Sequence, residues 1–375
     1  MRNGTRLWRP SLIAVLAAGA ALAVAPTVAG AASGFIGSLD AVSVVASTVP
    51  GNGDVNPYGV AVAPVTAGRL VAGDVLVSNF NDSANLQGTG STIVEVSPGG
   101  QVTLFAHLAA GHLPGACPGG IGLTTALVAL RSGWVVVGSL PTGNGMSATM
   151  KAGCLVVINP WGDPVETISG PPINGPWDMT ALDRGSSALL FVTDVLNGTV
   201  ASSPDVVHGG TVVRIDLAIS GGYAPAVTSE TVIGEGFPEQ TSAAALVVGP
   251  TGLGLGRDGS LFVADTLANR IAVIHGATTR ATPAGGSTVS EGGALNGPLG
   301  LTVAPGGDIL TTNGANGNLV ETTPGGVQVA VVTLDNTPEP PLPNGNGTLF
   351  GLAVAPNHSS LYFVDDGTNT LNLAH

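Results

Sequence analysis

Six short polar residues recur in this chain where an apolar run gives way to a turn: Asn79, Ser139, Asp194, Asp265, Asn313 and Asp365. Oxygen-bearing side chains gathered into one ring would suit Ca²⁺ or another hard divalent cation, with Asp178, Asp194, Asp265 and Asn313 as candidate ligands. Asn and Asp at such points also accept backbone N–H bonds and shape turns, which requires no ligand. Upstream of each lies a second recurrent position, held by Gly59, Gly252, Gly300 and Gly351 in four copies, by Ala126 in another and by Asp178 in one. A carboxylate facing a narrow passage can act as a metal ligand or as a general base. It can equally accept backbone bonds inside a distorted unit. The residues just before these positions are Tyr58, Thr125, Trp177, Thr251, Leu299 and Phe350. If they line an opening, its apolar and aromatic walls suit a small organic ligand or a peptide. The chain has no G-x-S-x-G elbow, no phosphate-binding loop and no H-E-x-x-H pair.

These positions belong to a repeat, and the repeat decides the fold. Its clearest copy runs from Pro250 through Gly252, an Asp258-Gly259 turn and the strand Leu261-Phe-Val-Ala-Asp265 to Asn269 and a third apolar run ending at Ile274. Pro57-Tyr-Gly59, Pro298-Leu-Gly300 and Leu349-Phe-Gly351 open three similar copies. Two looser copies begin near Thr124 and Pro176. Each unit has three evident strands, with a weaker fourth such as the run from Gln101 to Phe105 or from Gln328 to Val332. Six units of this kind predict an all-β, six-bladed β-propeller with four antiparallel strands per blade. The sixth unit ends after three strands at Leu371-Asn-Leu-Ala-His375. Residues 41–46 are the candidate for its missing outer strand, closing the ring from the N-terminal side.

The pattern Pro-x-Gly, a Gly turn, an apolar run ending in Asp and then Asn before a third strand resembles the NHL repeat. The resemblance implies a six-bladed ring over nearly the whole chain after residue 31. It spans binding modules, extracellular sensor domains and lyases, and related rings include metal-dependent lactonases, so it does not name a function. Lyases of this kind use channel histidines, which singles out His112 and His208 beside Asp178 as a cluster that could hold Zn²⁺. Insertions at 81–90, 140–153 and 197–210 all fall between second and third strands and so enlarge one face. The leading expectation is an extracellular binding or scaffold module that takes a small organic ligand or a protein or peptide on that loop-rich face. The alternative is a metal-dependent hydrolase or lyase with its site in the channel, centred on Asp178.

Composition fixes the address. Arg2, Arg6 and Arg9 precede an apolar stretch, and Ala29-Gly30-Ala31 follows Pro26, the pattern of a signal peptide over residues 1–31. Export implies a protein that is secreted or associated with the cell envelope. Its removal takes 3 of the 11 basic residues and none of the 24 acidic ones, moving the net charge from −13 to −16. That balance disfavours nucleic acid, and no later segment is apolar for long enough to span a membrane. The two cysteines, Cys117 and Cys154, flank the second unit's long insertion, and an exported context predicts that they are joined.

Overall fold

The computed structural model describes residues 34–375 apart from Glu339. The leader expected over residues 1–31 lies outside the described residues. Short Val-, Leu- and Phe-rich runs form strands buried along their whole length, as in Val75–Asn81, Val135–Ser139, Leu261–Asp265, Ile309–Asn313 and Leu361–Asp365. Such continuous burial arises because each sheet is covered on both faces by its neighbours.

The sheets are six blades. Their inner strands are Val55–Val62, Leu123–Ala129, Gly175–Asp183, Pro250–Leu255, Pro298–Val303 and Leu349–Val354. Each packs against the next, and the last returns to the first. The apolar core is divided into clusters between adjacent blades, for example Val136, Leu155, Met179, Leu190 and Val213 between blades 2 and 3.

Ring closure follows the sequence expectation. Val42–Ser47 pairs antiparallel with Thr370–Ala374, with Val42 opposite Ala374 and Ser47 opposite Thr370. The clasp continues beyond that strand: Thr48 N–H bonds the Asn369 carbonyl at 2.9 Å, and Asn56 N–H bonds Asn369 Oδ1 at 2.7 Å. Blade 3 departs from the four-strand pattern. Its fourth strand, Ala226–Ser242, is long enough to turn back and pair with the short strand Leu246–Val248, giving a five-stranded sheet.

All six inner strands bulge at the recurrent Gly position. There the backbones of adjacent blades approach so closely that a Cβ at Gly252, Gly300 or Gly351 would collide with the carbonyl oxygen of Leu299, Phe350 or Tyr58. Hydroxyls stitch the same junctions. Ser78 Oγ accepts the Gly59 N–H at 3.0 Å and donates to the Thr124 carbonyl of the next blade at 2.8 Å. Thr193 and Thr312 repeat this pair of bonds, to Asp178 N–H and the Thr251 carbonyl and to Gly300 N–H and the Phe350 carbonyl. Cys117 and Cys154 form a disulfide, as the sequence predicted.

Candidate functional site

The axis of the ring has two unlike ends. At the end carrying the long loops it is filled. Tyr58 stacks on Phe350 with ring centroids 4.0 Å apart and on Phe80 at 4.5 Å, and Trp177 stands edge-on to Tyr58 and Phe80. Leu140 and Met150 from one loop, and Leu246 from the extra hairpin of blade 3, join this cluster. Tyr58 and Trp177 are each 2% exposed and Phe350 is 6% exposed. These three aromatics therefore form a plug instead of lining an open mouth. Their large faces find one another when the inner strands converge, and the loops cover them. Thr125 and Thr251 are buried as well. Thr125 donates to the Trp177 carbonyl, and Thr251 donates to the Leu299 carbonyl at 2.9 Å.

The other end is open. An axial cavity of about 240 Å³ is lined by all six inner strands, among them Val60, Leu127, Leu253, Leu301 and Leu352, and Asp178 lies within it. Asp178 is half-buried, and its Oδ2 accepts the Leu253 N–H at 3.0 Å. Burial among apolar walls pushes its carboxyl up to about 7, against the hydrogen bonds from backbone N–H groups and Thr125. The bulge of blade 3 thus puts a carboxyl where most blades have no side chain, and the group can hold or release a proton near neutrality.

The expected ring of metal ligands does not come together. Asp194 accepts N–H bonds from Asn174 and Gly175 at 3.0–3.1 Å. Asp265 pairs with Arg270 Nε at 2.8 Å. Asn313 accepts the Asn296 N–H and donates to the Ala294 carbonyl and Asn316. Ser139 accepts the Gly122 N–H, and Asp365 accepts the Thr368 N–H. Ser139, Asp194 and Asn313 tie down the connections entering their own blades, while Asp265 and Asp365 hold the turn that follows them, because a short acceptor at the end of a strand can reach the adjacent loop's N–H groups. His112, at the end of a 3-10 turn, and His208, at the start of the strand Val207–Ala218, are exposed and do not line the cavity that Asp178 lines. Among the described residues, no three His, Cys, Asp or Glu side chains are grouped to hold a metal ion. Asp178 contributes a single carboxylate where a divalent cation needs six or more oxygens, so the donors present do not fit a Ca²⁺ site.

Two carboxyl groups near the plugged end were not singled out from sequence. Asp366 is pushed up to about 7, first by burial and then by the neighbouring Asp365 charge. Glu239, fully buried, accepts N–H bonds from Leu196 and Asn197 and the Thr199 hydroxyl bond. Asp366 had a faint signal, since it directly follows the recurrent Asp365. Glu239 had none, because it arrives on the overlong fourth strand of blade 3.

No family model and no curated protein matches this sequence. Solved structures do match its fold. A gluconolactonase from Xanthomonas campestris is 12% identical over 88% of each chain, with a TM-score of 0.55. A calcium-binding protein, regucalcin, from Agrobacterium tumefaciens is 12% identical over 88% of this chain and 92% of its own, with a TM-score of 0.54. A catalytically inactive virginiamycin B lyase from Staphylococcus aureus, solved with quinupristin, is 16% identical over 89% of this chain and 84% of its own, at 0.50. At these identities the shared property is the fold.

Proposed function

We propose that this chain is a hydrolase- or lyase-type enzyme acting on a small organic molecule in the axial cavity, with Asp178 as its proton-transfer group. One observation carries the reading: the axial cavity holds a carboxyl that burial brings to about 7. General acid–base catalysis is most effective when the group's pKa lies near the working pH. The names of the fold neighbours, a gluconolactonase and a lyase, support chemistry on such a ring without assigning a substrate. In a hydrolytic cycle, ionised Asp178 takes a proton from water as the water oxygen adds to the acyl carbon. It returns that proton to the leaving oxygen as the old bond breaks. The Leu253 N–H fixes the carboxyl, and the cavity's Val and Leu side chains pack against the substrate's carbon frame.

A second reading, a binding module without turnover, draws on the cavity's lining, where Asp178 has no nucleophile or histidine beside it. The disulfide and the pattern of residues 1–31 support action outside the cytoplasm for either reading. The test is a panel of lactones and esters turned over by the wild type and by Asp178→Asn. A loss of about 100-fold or more in kcat/KM, with unchanged thermal unfolding, is the expected result. Turnover that survives Asp178→Asn overturns the enzymatic assignment. Ligands that bind the cavity without being converted by the wild type would establish the binding module instead.

A further inference from the structure

The axial cavity does not end at its inner chamber. The chamber shares Thr180, Ala181 and Thr302 with a second lobe of about 550 Å³, which in turn shares Leu255, Arg257 and Val303 with a third of about 820 Å³. The three make one funnel, narrow at Asp178 and wide at the face opposite the long loops. Val, Leu, Ala and Gly alternate along its walls with Thr125, Thr180, Thr278 and Thr302. Cations stand at its rim: Arg184 and Arg257 line the second lobe, and Arg257 continues into the third beside His358.

The placement of those arginines points to a ligand charge. Among the described residues Arg131, Arg214 and Arg270 form ion pairs, with Asp183, Asp216 and Asp265, whereas Arg69, Arg184, Arg257 and Arg280 do not. Of these four, Arg184 and Arg257 line the funnel. Arg257 is held only by a backbone contact, its Nη2 donating to the Pro305 carbonyl at 2.7 Å. Their sequence neighbours Asp183 and Asp258 also line the funnel, but both are already engaged. Asp183 binds Arg131 and the Gly185 N–H, and Asp258 binds the Ser260 N–H and hydroxyl. Two guanidinium groups at the mouth of the funnel are suited to a carboxylate, which they can hold through paired N–H bonds.

We infer that the funnel takes an elongated organic acid, its carboxylate at Arg184 and Arg257, its carbon chain along the Val and Leu walls and a polar group reaching Asp178. This ligand class rests on the reading of the cavity given above, but its test is separate.

The test is calorimetric titration of the full chain with octanoate, octanamide and octylamine, which share one carbon chain and differ in head-group charge. Octanoate is expected to bind at least tenfold more tightly than either analogue. Raising the salt concentration should weaken octanoate alone. The double substitution Arg184→Gln, Arg257→Gln should abolish the preference while thermal unfolding stays unchanged, since both side chains are exposed. Equal binding of the amide or amine, a double variant that keeps the preference, or no octanoate binding at all would each overturn the inference. None of these results bears on whether Asp178→Asn loses turnover, so the two ideas fail independently.

Discussion

At Asp178 and Asp194 the same residue type meets two kinds of burial, and the difference separates a reactive group from a structural one. Asp178 accepts the Leu253 N–H from the next blade and lines an open cavity. Asp194 is fully buried, and its oxygens are occupied by the N–H groups of Asn174 and Gly175. Burial, helped by the charge of Glu239, pushes Asp194 up to about 8 in spite of those bonds. The sign follows from proton linkage. A carboxyl raised in the folded state holds a proton that the unfolded chain has released, so stability falls as pH climbs from about 4 through about 8. Blades 1 and 5 carry Asn at the matching point, as Asn79 and Asn313. Asp194→Asn should therefore fold, and its unfolding midpoint should drop less than the wild type's between pH 5 and pH 8. Equal drops in the two proteins would place the titrating group elsewhere.

Among elements, the parts visible in the sequence were those that repeat. The six copies predicted the ring, the unfinished sixth copy predicted a closing strand within a residue of where it lies, and the blade 2 cysteines predicted their bond. The substitution of Asp178 for a recurrent Gly marked the residue that the cavity presents. The closed end could not be read in this way. Leu140, Met150 and Leu246 come from insertions without counterparts in the other copies, and they pack on Tyr58 and Trp177 in the cluster that fills the loop-rich end. The hydroxyls of Ser78, Thr193 and Thr312 escaped notice because Ser and Thr are ordinary in strands and their bonds cross between blades. Two predictions belong at this scale. A chain starting at Thr48 lacks the closing strand and exposes the edge of Thr370–Ala374. Its unfolding midpoint should fall by on the order of 10 °C, read by circular dichroism. Replacing Cys117 and Cys154 by Ser releases a link spanning 37 residues, which should cost about 4 kcal/mol in denaturant unfolding if the chain-entropy model holds.

At the scale of the whole molecule, the ring is polarised along its axis. One end carries the long loops and is filled by aromatic side chains. The other carries an open funnel, with Asp178 and Asp183 lining its inner chamber and Arg184 and Arg257 nearer its mouth. Loop length alone would have put the ligand on the filled face. Packing puts the available space on the other, because insertions that fold inward consume the channel they surround. The chemistry then depends on whether the carboxyl in that space is kept near neutrality by its apolar walls. The most direct measurement is an NMR titration of the Asp178 side-chain carboxyl carbon, assigned by the signal missing in Asp178→Asn. A midpoint near 7 is predicted, and a midpoint near the ordinary 3.8 would mean that the cavity does not hold the carboxyl in a proton-transferring state.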